Sequence, residues 1–212
     1  MDGTGSTVRT ALLDFQKAFD LVDHHILFGK LLTLGVKPTV VNWVIDFLRN
    51  RQQRVKLSGV FSDWLDVRAG VPQGTRLGLW LFLATINDLR LPEEFLMWKF
   101  ADDRTVLEVV PASKLSTLQQ AADYIHDWSQ ENHLQFNPTK CKEIHTCFMR
   151  TPPGFPGVFT EGVEFETVSL AKVLGVTISG DLKWSAHIRW VHTKLSKYTF
   201  SILEAYFRCE RV

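Results

Sequence analysis

At 212 residues, with 45% hydrophobic and 22% charged residues, the chain is sized for one folded domain with a real core. That composition excludes a disordered or low-complexity protein. Its 24 basic and 23 acidic residues leave a net charge of +1, so any nucleic-acid surface has to be local rather than a global basic excess.

Met1 to Thr10 is rich in Gly, Ser and Thr and has no apolar core, so it does not read as a signal peptide. Val8 to Leu13 reads as a buried strand ending at Asp14. The spacing of Ala18, Leu21, Val22 and Ile26 predicts a helix over Ala18 to Leu32, closed by Gly35. Pro38 suits a helix start, and Val40, Val41, Val44, Phe47 and Leu48 predict an amphipathic helix stopping near Asn50. Arg54 to Arg68 alternates around Ser58-Gly59 and predicts a hairpin. Gly70-Val71-Pro72-Gln73-Gly74 is a loop by composition, followed by an apolar helix over Leu77 to Leu89. The longest apolar stretch, Leu77 to Ile86, is too short to span a bilayer.

Two apolar runs, Phe95 to Trp98 and Val106 to Val110, flank Phe100-Ala101-Asp102-Asp103 and predict strand, tight turn, strand. Leu115, Leu118, Ala122, Ile125 and Trp128 predict a helix over Ser113 to Trp128. Asn137-Pro138 is a turn, and Ile144 to Met149 is a strand candidate. A connection rich in Pro and Gly (152 to 157) follows, then strand candidates at Val163 to Val168 and Lys172 to Ile178, and a terminal helix over Trp184 to Phe207. Strands and helices interleave without strict βαβ periodicity, which favours an α+β fold: an antiparallel sheet with helices on one face. Cys141, Cys147 and Cys209 form no disulfide framework, so a reduced intracellular setting, nucleus or cytoplasm, is expected. Cys141, His145 and Cys147 match no zinc-finger spacing and lack a fourth ligand.

The chemistry concentrates at Asp102-Asp103. Adjacent carboxylates in a turn repel each other, which usually means a solvated turn. The pair becomes favourable when a divalent cation sits between the acids, and Mg²⁺ prefers hard oxygen ligands completed by substrate phosphates. Asp14 supplies a third carboxylate where an apolar strand meets solvent, and Asp20 lies six residues further on.

Six blocks in order then resemble the reverse transcriptases of non-long-terminal-repeat (non-LTR), LINE-like retrotransposons. They are Leu13-Asp14-Phe15-Gln16-Lys17-Ala18-Phe19-Asp20; Gly70-Val71-Pro72-Gln73-Gly74-Thr75; Ile86-Asn87-Asp88-Leu89; Phe100-Ala101-Asp102-Asp103; Leu134-Gln135-Phe136-Asn137-Pro138-Thr139-Lys140; and Val173-Leu174-Gly175-Val176. The resemblance covers residues 8 to 190. It implies an RNA-directed DNA polymerase that extends a DNA primer on an RNA template from deoxynucleoside triphosphates, by nucleotidyl transfer with two Mg²⁺ ions and with no membrane partner. It also implies a palm domain over residues 8–180 and a helical segment, 181–212, leading to a truncated thumb.

By the same resemblance, Asp14 and Asp102 are the main metal ligands and Asp103 supports the metal nearer the primer end, with the Phe15 carbonyl as a further ligand. Phe19 crowds the sugar 2′ position, Gln73 and Gly74 line the nucleotide pocket, and Lys140 approaches the triphosphate. Leu174 and Gly175 belong to the primer grip. Asp20 is the weaker candidate, with a structural role.

Departures qualify the resemblance. Family members carry a fingers region that is largely missing here, and the thumb is partial. The isolated chain is therefore expected to show little polymerase activity and to expose apolar surface. Thr75-Arg76-Leu77-Gly78-Leu79-Trp80 replaces the family's usual run of Ser, an apolar residue, Leu-Gly and Pro. Arg76 is a candidate for facing template phosphate. Arg104 is expected to pair with Asp103 and compete with metal. The alternative is a truncated, catalytically inactive remnant that retains weak RNA or DNA binding. A ferredoxin-like RNA-binding module would instead require aromatic residues on the open sheet face.

Overall fold

The structure, a computed structural model, describes residues 5–196. The N-terminal four residues, Cys209 and the end of the expected terminal helix lie outside that range. Residues 185–196 are helical.

A five-stranded sheet forms the frame. Its strands are β1 (Ser6–Leu13), β2 (Leu96–Phe100), β3 (Asp103–Pro111), β4 (Lys142–Cys147) and β5 (Glu166–Thr167), in the order β5-β4-β1-β3-β2. All pairings are antiparallel except the short β4–β5 pair, which is parallel. The centre is therefore the expected antiparallel sheet, with one parallel edge. β1 is central because it offers hydrogen-bonding partners on both sides, and its alternating Thr7, Arg9, Ala11 and Leu13 face inward.

Four helices cover or flank this sheet: α1 (His24–Thr33), α2 (Pro38–Leu48), α3 (Arg76–Thr85) and α4 (Leu118–Glu131). Ala11 and Leu13 of β1 and Val106 of β3 share one apolar core with Leu27, Val44, Phe82 and Ile125 of the four helices. β6 (Leu170–Val173) and β7 (Val176–Ser179) form a separate hairpin. Shorter two-residue pairs join Phe15–Gln16 to Gln135–Phe136 and build the hairpin between residues 52 and 66.

Several boundaries differ from the sequence expectations, each for a local reason. α1 starts at His24, not Ala18, because Asp23 caps it, accepting from the backbone N–H groups of His25 (2.8 Å) and Ile26 (3.2 Å). Residues 17–20 form a turn in which Ala18 is still buried. α3 closes at Thr85, where Lys99 Nζ donates to the carbonyls of Ile86 (3.0 Å) and Leu89 (2.9 Å). α4 begins at Leu118, and Leu115 is 92% exposed instead of facing the core. The stretch from 172 to 178 is two strands joined by Leu174-Gly175, both at positive φ, as a two-residue hairpin turn requires. The stretch from 163 to 168 likewise breaks at buried Phe165.

Buried charge joins β1, β4 and the start of α4. Arg9 is 1% exposed. It donates to both carboxylate oxygens of Glu143 (2.5 and 2.9 Å), to Ser116 Oγ (2.7 Å) and to the Pro156 carbonyl (2.9 Å). His145 Nε2 lies 2.5 Å from Glu143, and Glu108 accepts from Ser116 and Thr117. Such a network is stable only when every member is satisfied.

Burial alone raises the Glu143 carboxyl, but the hydrogen bonds of His145 and Arg9 outweigh it and hold the group below its usual value. A depressed carboxyl contributes stability above its unfolded value near 4.5 and loses it as pH falls through the folded value. The thermal midpoint is therefore expected to drop on acidification below about pH 4.5. Glu143→Gln strands Arg9, costs about 3 kcal/mol and flattens that part of the acid limb. Melts followed by circular dichroism in both proteins measure this, and equal acid sensitivity would contradict the assignment.

Candidate active site

The register of β1 against β3 decides where the acids meet. Ala11 pairs with Val106 and Leu13 with Arg104 on the inner face, and Leu12 pairs with Thr105 on the outer face. One step further along the same register sets Asp14 opposite Asp103. Leu12, Asp14, Asp103 and Thr105 all line one open cleft of about 530 Å³, with Lys140 and the β6 strand on its other walls.

Asp14 is held at both ends of its peptide unit. Its carbonyl accepts from Asn137 N–H (2.9 Å), and Phe15 next to it pairs with Phe136, ring against ring at 4.9 Å. This pairing carries Pro138–Lys140 to the cleft, where Lys140 Nζ lies 3.7 Å from Asp14 Oδ2. Asp14 Oδ2 is buried yet accepts no hydrogen bond. A buried carboxylate oxygen without a donor is a costly arrangement that a cation relieves.

Asp103 opens β3 after the turn of Ala101, which is at φ 50°, and Asp102. Its carboxyl is raised, first by burial and then by the negative charges of Asp102 and Asp14, with Arg104 opposing. Among the described residues, the Asp102 carboxylate makes no hydrogen bond or ion pair, and Asp102 does not line the cleft. No group of three His, Cys, Asp or Glu side chains among the described residues converges closely enough to hold a metal ion. The donor set fits a hard divalent cation at the Asp14–Asp103 pair, on the strength of the orphaned oxygen and the mutual repulsion. It does not form a closed three-carboxylate cage. Cys141 is buried, which pushes its thiol up to about 11, in keeping with a structural cysteine.

Arg104 does not pair with Asp103. It is 1% exposed and points into the inner face, where its guanidinium stacks on the Phe15 ring at 4.2 Å and Nη1 donates to the Asp102 carbonyl at 2.5 Å. Nε and Nη2 are buried without a partner. Burial lowers its pKa to about 10, against the pull of the three acids, so it stays charged at neutral pH. The signal for this placement was the inward alternation of Arg104, Val106, Glu108 and Val110 along β3.

The other expected residues fall in two places. Leu174 and Gly175 form the turn of the hairpin whose first strand lines the cleft. The Gly70–Thr75 loop does not line that cleft, contrary to expectation. It is clipped instead to the turn before α1: Gly70 N–H donates to the Val22 carbonyl and Val71 N–H to the Phe19 carbonyl, both at 2.8 Å. Gly70 is at φ +83°, and a Cβ there would come within 2.6 Å of the Asp20 carbonyl oxygen. Asp20 is exposed, and its backbone supports this clip. Gln73 and Gly74 are exposed beyond it. Phe19 stacks on Phe82 of α3 at 4.3 Å, and Phe82 also lies 5.9 Å from the Arg104 guanidinium, so the rings connect the loop to the acid turn.

Two further residues stand out. Gly78 of α3 packs so close to the Pro72 carbonyl that no side chain fits, which explains the glycine after Leu77. Asp88 pairs with Lys30 (2.6 Å), whose ammonium also meets the Thr85 carbonyl and the Trp128 ring.

Residues 3–178 match the family Reverse transcriptase (RNA-dependent DNA polymerase). The chain belongs to this family. It is 31% identical over 188 residues to the RNA-directed DNA polymerase from mobile element jockey of Drosophila melanogaster, covering 84% of this chain and 20% of the relative. The probable RNA-directed DNA polymerase from transposon X-element of the same organism is 31% identical over 202 residues, covering 86% of this chain and 21% of the relative. The chain thus spans about a fifth of the length of these relatives. Among solved structures, telomerase from Candida tropicalis in complex with a fragment of telomeric RNA superposes with a TM-score of 0.59 at 14% identity, over 87% of this chain and 31% of that one. The fold is thus that of the reverse transcriptase domain, of the non-LTR retrotransposon kind.

Two substitutions probe this site. Arg104→Met keeps an unbranched side chain against Phe15 and removes two unpaired nitrogens, so the melting temperature is expected to hold or rise. It also removes the cation that opposes Asp103's upward shift, so Asp103 is expected to titrate higher in carboxyl-carbon NMR with chelator present; a lower midpoint would contradict this geometry. Gly70→Ala is expected to destabilise by about 2 kcal/mol or more, through positive φ and the Asp20 contact. A melting temperature equal to that of the parent chain would dismiss the loop clip.

Proposed function

We propose that the chain carries the catalytic centre of an RNA-directed DNA polymerase that extends a DNA primer on an RNA template. The single observation that carries this reading is Asp14 facing Asp103 across β1 and β3 at one open cleft, with Asp14 Oδ2 buried, without a hydrogen bond and met only by the Lys140 ammonium at 3.7 Å.

Asp14 and Asp103 would hold Mg²⁺ between them, with the Phe15 carbonyl as a further ligand, and Asp102, outside the cleft lining, would have to turn inward for a second ion to be held. When bound, such ions supply Lewis-acid activation of the primer 3′-oxygen and neutralise charge on the leaving pyrophosphate. The chain's own part is positioning. Strand ends paired on both sides give Asp14 little freedom, and rigid carboxylates suit a reaction governed by placement and charge. Lys140, 3.7 Å from Asp14 and otherwise exposed, is free to swing its ammonium to the triphosphate and to deliver a proton to pyrophosphate.

Phe19, braced by Phe82, presents a bulky ring at the sugar 2′ position and excludes ribonucleotides sterically. Gln73 and Gly74, exposed on the clipped loop outside the cleft lining, would meet the part of a nucleotide that extends beyond the acid cleft. The Leu174-Gly175 turn approaches the primer terminus with backbone groups.

Mn²⁺ binding followed by paramagnetic resonance, together with dTTP incorporation on poly(rA)/oligo(dT), tests this. Asp14→Asn and Asp103→Asn are each expected to weaken Mn²⁺ binding at least about tenfold, since each removes one charged ligand. Incorporation by the isolated chain is expected to be slow and to vanish in Asp102→Asn. Unchanged Mn²⁺ affinity, or incorporation that survives these substitutions, would refute the assigned site. No incorporation by the parent chain would favour the inactive remnant.

A further inference from the structure

Five of the chain's 24 Lys and Arg residues, but only two of its 23 Asp and Glu residues, lie between residues 49 and 68. The segment therefore carries a net charge of +3, while the rest of the chain, with 19 basic and 21 acidic residues, is slightly acidic. At its base is a second pocket, of about 450 Å³, lined by Arg49, Arg51, Arg68 and His24, with Asp66 as its one acid. Asp66 is engaged by Gln52 at 2.9 Å, and among the described residues no carboxylate pairs with Arg49, Arg51, Arg54 or Arg68. His24 Nε2 (2.8 Å) and Arg51 Nη1 (3.3 Å) both meet the Gly70 carbonyl, which ties the pocket floor to the clipped loop of the candidate active site.

Above the pocket, Arg54 lies 3.8 Å from the Phe61 ring centroid and 4.4 Å from that of Trp64. Stacking uses the flat face of a guanidinium and leaves its N–H edge for phosphate oxygens. Phe61 is 46% exposed and Trp64 56%, although both are large apolar rings. Unpaired arginines beside exposed aromatics on a strand pair are the chemistry that holds a single-stranded polynucleotide: phosphates on the cations, bases on the rings.

We propose that the 49–68 hairpin is a docking surface for single-stranded nucleic acid, separate from the acid cleft. Arg49, Arg51 and Arg68 take phosphodiester groups in the basal pocket, and Trp64 stacks a base beside Arg54. The choice of a polynucleotide as the anion accords with the polymerase reading, but the contact itself needs no divalent cation and no catalysis. Through His24, Arg51 and the Gly70 carbonyl, a strand held here is anchored next to the loop that borders the proposed nucleotide site.

Fluorescence anisotropy of a labelled oligouridine of about 20 nucleotides, in EDTA and over a salt series, tests this with the 212-residue chain. The parent chain is expected to bind, with affinity falling as salt rises. The double substitution Arg49→Glu, Arg68→Glu is expected to weaken binding at least about tenfold and to reduce the slope of log K against log salt by about 1.4, at roughly 0.7 per lost contact. Trp64→Ala is expected to weaken binding about tenfold with little change in slope. Lys114→Glu, an exposed charge change elsewhere, is expected to leave binding unchanged. Thermal melts establish that each variant is folded; if the double variant is not, Arg68→Ala takes its place. A folded pocket variant that binds as the parent does, or a parent chain that does not bind at about 50 mM salt, overturns the proposal. Asp14→Asn is expected to bind oligouridine normally in EDTA. Loss of Mn²⁺ binding therefore reports on the acid site and loss of RNA binding on the hairpin.

Discussion

The antiparallel register between β1 and β3 sets the inward side chains of both strands, Ala11 on Val106 and Leu13 on Arg104, and so decides which residues remain for the outer face. A slip of one residue would turn the Asp14 side chain into the apolar core and the Leu13 side chain out of it. β1 is not free to slip, because β4 pairs with it on its other edge from Thr7 to Leu12. The inner face is further fixed by a large shared core that runs from Leu13 and Phe15 through all four helices. The placement of two carboxylates across one cleft is thus a consequence of packing on the opposite side of the sheet.

Charge is distributed along the same inner face in two unlike arrangements. At one end, Arg9 is matched by Glu143, Ser116 and a carbonyl, so its desolvation is compensated by directional bonds. At the other end, Arg104 has one hydrogen bond and two bare nitrogens, and is compensated mainly by the three nearby acids and by stacking on Phe15. The first arrangement favours a unique pairing of β1 with β4. The second is costly in hydrogen bonding but keeps a cation behind the acid turn, where it offsets part of the repulsion that raises Asp103. Because the Arg104 guanidinium is buried against the Phe15 ring, it can exert this effect without occupying the position of a ligand.

Much of this architecture was legible where hydrophobic period and turn chemistry agree. The strand pair around Asp102-Asp103, the helix opened by Pro38, the Ser58-Gly59 hairpin and Asp14 at a strand end all follow from local pattern. The errors arose where one local signal outranked another. Apolar spacing from Ala18 to Ile26 suggested a helix, but Asp23 is the better cap and the earlier residues bury themselves in a turn. Leu174-Gly175 broke a run that looked like one strand, since only a turn accommodates two consecutive positive φ values. Arg104 was expected to pair with Asp103 and compete with metal, although strand alternation already assigned it to the core face. The separation of the Gly70–Thr75 loop from the acid cleft was not legible, because it depends on long-range hydrogen bonds to Phe19 and Val22.

The exposed apolar surface follows from the same layout. Trp43, Trp80 and Trp98 are each more than half exposed, along with Val55, Leu57 and Val60 of the hairpin. Isolated exposed apolar residues are ordinary, but large aromatic rings in water are less so. In the hairpin these residues sit among unpaired arginines, whereas Trp80 projects from α3 and Trp98 from the edge strand β2. A surface that mixes cations with rings attracts a polyanion with stacked bases, while a ring without neighbouring charge attracts other apolar surface. With a net charge of only +1, long-range attraction for nucleic acid is weak, so discrimination between these partners rests on the local density of cations, which is highest in the 49–68 segment.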